Sequence, residues 1–303
     1  MSHNLISILG PTACGKTSLA AKLALHYNGE IISADSRQVY RYMDIGTGKD
    51  ISEYNINGMQ IAYHLIDIID TDKEYNIYRF QEDFFAVYKQ VISKNKIPFL
   101  TGGSGLYLAV IIQNYLLNKA DFYANEIDKK KDEELRELLL QLKPNQHNQT
   151  DLVNRNRLVA AVKVAFSENN SQVDLTKQKK INSLNIGIAP DRELIKRRIT
   201  ERLKKRLNEG MIEEVEKLLL RGISHDRLQL FGLEYKYISL YLKSEINYND
   251  MFQKLNSSIH KFAKRQMTWF RKMEKEGVQI QWLESPNYES AKRIIDSARI
   301  NLV

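Results

Sequence analysis

Cysteine is almost missing from this chain: Cys14 is the only one among 303 residues. A single thiol cannot close an intramolecular disulfide, which excludes a small disulfide-stapled fold. No apolar run approaches the roughly 18 residues of a membrane helix. The short apolar stretch near the N-terminus ends at once in a glycine-containing loop, so a cleaved secretory leader is not expected. Six histidines and one cysteine show no metal-ligand spacing, and no structural zinc is expected. There is no internal repeat and no low-complexity tract. Together these absences point to a cytoplasmic globular protein of one large or two smaller domains.

Charge is in excess, and unevenly placed. The chain carries a net +8. Residues 190–275 hold 20 Lys or Arg against 12 Asp or Glu, the whole of that excess. A basic region of this kind is the electrostatic footprint of a nucleic-acid partner, although solvated helix faces on a Lys-rich protein would read the same way from charge alone.

The first 115 residues alternate strand-like and helix-like segments. Strands are expected at Leu5–Leu9, Glu30–Ser33, Ile61–Ile68 and Ile97–Thr101, with a helix from Ile77 to Ile92. That order predicts an α/β fold, a parallel sheet flanked by helices. Residues 118–183 differ: strongly charged, with one proline, no glycine and no convincing strand. They read as a helical insertion domain, with Ser167–Gln172 as a polar loop, between core segments 1–117 and 184–303. Leu184–Ala189 returns the chain to the sheet. Helices follow over Arg192–Glu209, Ile212–Arg221 and Asn249–Lys275, stopped in the first two cases by Gly210 and Gly222. Val278–Leu283 is again strand-like.

Within this framework one motif carries chemistry unaided. Gly10-Pro11-Thr12-Ala13-Cys14-Gly15-Lys16-Thr17 is the phosphate-loop pattern G-x-x-x-x-G-K-[ST], set between an apolar strand and a helix as its mechanism requires. Glycines let the backbone amides turn inward onto phosphate oxygens, and the helix N-terminus and Lys16 add positive charge. Chance alone would supply such a match in on the order of one chain per hundred. A bound diphosphate or polyphosphate is therefore expected, and Cys14 reads as a small residue filling a tight turn. Asp35 ends the second strand and should face the same mouth, since ligands sit beyond the carboxyl ends of parallel strands. An Asp-Ser pair also caps helices and turns, and position alone leaves the two readings level.

Several segments decide between them. The phosphate loop, Ser33–Arg41, Met43–Thr47, His64–Ile68, Gly102–Tyr107 and Ala263–Arg271 closely resemble, in order, the tRNA dimethylallyltransferase (isopentenyltransferase) family. The resemblance implies transfer of a dimethylallyl group from dimethylallyl diphosphate to N6 of the adenosine 3′ of the anticodon in tRNA, by a monomer. It implies Asp35 as general base, Thr12 beside both substrates, Lys16 and Arg202 at the diphosphate and Mg²⁺ held near Thr17. It implies RNA contacts at Asp35, Ser36, Arg37, Gln38, Ser104, Asn156, Arg157, Leu158, Val159, Ala160, Gln229 to Glu234, Lys264 and Arg265. The chain departs from the family at Asn125 and Ala160, where arginines are usual, at Lys163 in place of a glutamate, and at Gly232-Leu233-Glu234 in place of a Gly-Tyr pair. His64, Trp269 and Phe270 read as structural, the last two packed at helical spacing with Phe262 and Met273.

Two rival readings use the same residues. A nucleotide or small-molecule kinase would close an arginine-rich lid over ATP, yet residues 118–183 have no dense arginine pattern. A non-catalytic RNA-binding paralogue has no need of Lys16, Asp35 and Arg202, and should not lack the arginines at 125 and 160.

Overall fold

A computed structural model describes residues 2–117, 127, 130–143, 155–170 and 180–301. The chain divides into two compact units, one of Met1–Asn114 with Ile181–Val303 and one of Tyr115–Lys180.

The larger unit is built on six parallel strands in the order β5-β2-β6-β1-β7-β8. Their ranges are β1 Leu5–Leu9, β2 Gly29–Ala34, β5 Tyr63–His64, β6 Ile97–Gly102, β7 Ser183–Ile188 and β8 Gln281–Leu283. Strands β3, Asn55–Ile56, and β4, Met59–Gln60, form a separate antiparallel hairpin. The central strands are mostly apolar and buried because helices cover both faces, and every residue of β1 is buried. One polar pair is satisfied inside: Ser7 Oγ donates to Asn185 Oδ1 at 2.7 Å.

Register decides where the site forms. Leu9 of β1 and Ala34 of β2 are both level with Gly102 of β6. Gly10, Asp35 and Gly103 therefore leave the sheet side by side, the outer two about 10 Å apart at two strand spacings. Gly102 allows this closeness, since a Cβ there would lie 2.3 Å from the Ala34 carbonyl oxygen.

Three expectations change. The strand expected over Ile61–Ile68 is only Tyr63–His64, because Leu65 and Asp67 take left-handed backbone angles, φ 62° and 56°. The polar loop expected over Ser167–Gln172 is helix as far as Asn170, the helix running Arg155–Asn170. Helices at Gly105–Ile112, His225–Leu230, Leu233–Leu242 and Tyr288–Ser297 were not expected. The helix Arg192–Asn208 starts at Asp191, whose carboxylate accepts from the amides of Glu193 and Leu194. Among the described residues no helix is long and apolar enough to cross a membrane.

The smaller unit packs helices Asp132–Leu142 and Arg155–Asn170 around Leu135, Leu139, Leu158, Val162 and Ala165.

Candidate active site

At the carboxyl ends of β1, β2 and β6 lies a cavity of about 500 Å³. Thr12, Ala13, Gly15, Lys16 and Thr17 of the phosphate loop line it. Gly10, Pro11 and Cys14 are buried beneath and present no side chain to it. The tightness of the turn explains Cys14, whose sulfur would lie 2.8 Å from a Cβ on Gly10. Burial pushes its thiol pKa up, against the pull of Lys16, so it is inert. Gly15 stands at φ 87°, open to glycine without strain. Lys16 Nζ rests on the Pro11 carbonyl at 3.2 Å.

The loop is pinned from the far end of the chain. Gln266, 4% exposed on the helix Tyr248–Lys275, accepts from the Thr12 amide and donates to the Gly103 carbonyl, both at 2.8 Å. It ties the ends of β1 and β6 together. Its neighbours Lys264 and Arg265 are exposed and lie outside the cavity lining, Arg265 over the ring of Phe262.

Asp35, Ser36, Arg37 and Gln38 line the cavity beside the loop. Asp35 Oδ1 accepts from the Arg37 amide at 2.9 Å, so a carboxylate on the cavity lining also closes a local turn. Gln38 bonds Ser33 and the Gly48 carbonyl, and Ser104 accepts from the Ser36 amide. Phe231–Tyr235 complete the wall, whereas Gln229 and Leu230 do not reach it.

Arginines at 198, 202 and 206 face the cavity from one side of the helix Arg192–Asn208, next to the buried stripe Ile195, Ile199, Leu203 and Leu207. Arg202 donates to Asp50 Oδ2 at 2.6 Å and to Thr12 Oγ1 at 3.4 Å, and Arg206 reaches the same Asp50 oxygen at 3.2 Å. Burial works to raise the Asp50 pKa, but the two arginines hold it below the ordinary carboxylate range. Burial lowers the Arg206 pKa, helped by Arg202 and opposed by Asp50. Two further carboxyls on the wall, Glu53 and Glu234, are raised by burial. Asp50, Glu53, Arg198 and Arg206 escaped the sequence reading. The four-residue spacing of the arginines was a usable signal; nothing local marks Asp50.

A second anchor shapes the wall. Glu214 Oε2 accepts from the amides of Asp44 and Ile45 at 2.8 and 2.7 Å, and its Oε1 from Gly46 N at 3.0 Å and Tyr235 OH at 2.7 Å. Lys49, 1% exposed, holds the same segment through the Tyr40 carbonyl, Asp44 and Asp67.

Other expected positions fall elsewhere. Asn156 to Ala160 belong to the smaller unit, where Leu158 is fully buried in the core and its side chain is unavailable to RNA. Arg157 and Ala160 are exposed there. Asn125 and the side chains of Asn156 and Lys163 lie outside the described residues. Phe262, expected in the core with Phe270 and Met273, is 38% exposed and lines the cavity, while the other two are buried. His64 is structural as expected, bonded to Glu30 at 2.7 Å.

Residues 38–273 match the model of the IPP transferase family. The chain is 45% identical to tRNA dimethylallyltransferase 1 of Syntrophus aciditrophicus, over 96% of this chain and 97% of that protein. It is 48% identical to tRNA dimethylallyltransferase 2 of Syntrophotalea carbinolica, covering 94% and 95%. The crystal structure of the tRNA isopentenylpyrophosphate transferase of Bacillus halodurans superposes with a TM-score of 0.69 at 28% identity, covering 97% and 94%. With the phosphate loop, Asp35 and Arg202 gathered on one cavity, these likenesses make the chain a member of the tRNA dimethylallyltransferase family.

Proposed function

We propose that this protein transfers a dimethylallyl group from dimethylallyl diphosphate to N6 of the adenosine 3′ of the anticodon in tRNA, as a cytoplasmic monomer. The observation that carries the reading is the convergence of Thr12, Lys16, Asp35 and Arg202, from three separate stretches of chain, on one cavity. A kinase would use the same loop and would set Asp35 on its acceptor hydroxyl; membership of the tRNA dimethylallyltransferase family favours prenyl transfer over it.

The chemistry follows from what those groups can do. The adenine N6 lone pair forms a bond to the allylic C1 while the C1–O bond breaks and diphosphate departs. Charge grows on the leaving oxygens, where the loop amides, Lys16 and Arg202 stabilise it. The nitrogen becomes acidic as it bonds, and Asp35 accepts its proton. The Arg37 amide occupies one carboxylate oxygen of Asp35 and orients the other. Arg202 shares its guanidinium with Asp50, so donor entry must compete with that carboxylate.

A magnesium ion suits this donor set. Mg²⁺ keeps several waters and takes one or two protein oxygens plus substrate phosphates. Thr17 offers a hydroxyl on the cavity wall, and among the described residues no group of three or more His, Cys, Asp or Glu competes as a closed site. Thr17 would hold the ion, which supplies neutralisation of the diphosphate.

Incubating the protein with an anticodon stem-loop RNA and dimethylallyl diphosphate, followed by nucleoside mass spectrometry, tests the reading. An adenosine heavier by one dimethylallyl group is expected; phosphate transfer from labelled ATP without that product would replace the reading with a kinase.

A further inference from the structure

Three arginines share the cavity-facing side of one helix, yet among the described residues only two have partners. Arg202 and Arg206 are both committed to Asp50. Three further cations of the same helix are matched, Lys196 with Glu193 at 2.7 Å, Arg197 with Glu201 at 3.9 Å and Lys205 with Glu209 at 3.6 Å. Arg198 is half-buried on the cavity wall and makes no hydrogen bond or ion pair among the described residues. A recess beside Thr12 and Ala13 is lined by Arg202 and Arg206 but not by Arg198, which belongs to the wider cavity with Phe262.

A partly desolvated guanidinium beside two others is unfavourable unless an anion joins it. Asp50 offers one carboxylate, and Arg202 and Arg206 already share it. No described residue supplies the anion that Arg198 lacks, and a planar fork of donors suits phosphoryl oxygens. We infer that Arg198 is a phosphate-binding residue of this site, receiving oxygens either from the diphosphate of the donor or from the RNA backbone at the nucleotide entering the cavity. This rests on the transfer reaction proposed above.

The test compares the unaltered protein with Arg198→Gln and Arg198→Lys in two binding measurements, one with inorganic diphosphate and magnesium, the other with an anticodon stem-loop RNA over a range of salt. Loss of one charge-assisted contact should weaken one of these by about tenfold or more in Arg198→Gln. Arg198→Lys should fall between, because a point charge replaces the fork. Weakening only for diphosphate assigns Arg198 to the donor. Weakening only for RNA, with the salt slope reduced by roughly 0.7–0.9, assigns it to a backbone phosphate. Both affinities unchanged within about twofold would overturn the inference, as would a fall in melting temperature with binding intact, the mark of a packing role. A transfer assay on the unaltered chain separates the two claims. Lack of product there sinks the reaction, while the diphosphate measurement still judges Arg198.

Discussion

A single carboxylate illustrates how little a side chain's chemistry can be read from its identity. Asp35 closes a local turn and lines a cavity at once. Asp35→Asn retains the acceptor that the Arg37 amide needs but cannot take a proton at pH 7. Its single-turnover transfer rate should fall roughly 10²–10⁴-fold with donor affinity and thermal stability nearly unchanged. A variant that transfers at the native rate would leave Asp35 a turn residue only. Lys16 tests the other substrate. Its ammonium has only the Pro11 carbonyl as hydrogen-bond partner among the described residues, so removing it disturbs little of the fold. Lys16→Ala should abolish transfer and weaken diphosphate binding while RNA affinity stays within about twofold, a charge-assisted contact being worth ~1.5–3 kcal/mol. Equal loss of RNA binding would mean that the lysine serves the wrong partner.

At the scale of elements, the site is held by contacts between segments that have no reason to meet locally. The wall segment Asp44–Gly46 hangs on Glu214, whose two oxygens take four donors. Glu214→Gln sets an amide N–H₂ against backbone N–H groups and orphans at least one of them. A loss of about 2 kcal/mol or more is expected in denaturant unfolding, with Tyr235→Phe costing about 1 kcal/mol for its one bond. Native stability in Glu214→Gln would show that the segment is anchored by Lys49 alone. A second cross-element contact ties the sheet's edge. Burial of Glu30 on β2 works to raise its pKa, but hydrogen bonds from Lys96, His64 and Lys94 bring it down to about 2. A carboxyl lowered by folding contributes stability above the ordinary glutamate range, which is lost as pH falls toward about 2. Its size is on the order of 2 kcal/mol, discounted because Lys94 and Lys96 are partly exposed. Glu30→Gln should therefore be less stable than the native chain at pH 7, with the gap narrowing on acidification; equal acid-unfolding curves would deny the Glu30 carboxylate any role.

For the molecule as a whole, the basic excess over residues 190–275 predicts steeply salt-dependent RNA binding. Lys264 and Arg265 are exposed, next to a glutamine that reaches the phosphate loop. The double substitution to alanine should lower affinity for every tRNA tested and reduce the salt slope by roughly 1.4–1.8, without changing which base is modified. An unaltered slope would remove both residues from the RNA surface. The loop Gly10–Thr17 and the strands β1, β2, β6 and β7 were legible in the sequence, because short apolar runs bounded by glycine and polar turns have one stable role in a parallel sheet. The expected strand at Ile61–Ile68 was not, since two left-handed residues break it and neither is glycine. Phe262 misled for a similar reason: helical spacing assigns it to a face, but not to what covers that face.

The sequence by itself determined the phosphate loop, strands β1, β2, β6 and β7, the helices over Ile77–Ser93, Arg192–Asn208 and Tyr248–Lys275, and the presence of Asp35 just after a strand. These follow from local sterics and from the periodicity of apolar residues, which a linear chain displays directly. Only the tertiary structure decided that Ala34 and Leu9 end level with Gly102, that Gln266 reaches Thr12, and that Asp50 holds Arg202 and Arg206. It also decided that Leu158 is core rather than surface. Those contacts join residues more than 90 positions apart in most cases. Their partners are chosen by sheet register and helix packing, quantities that depend on every element at once and leave no local mark.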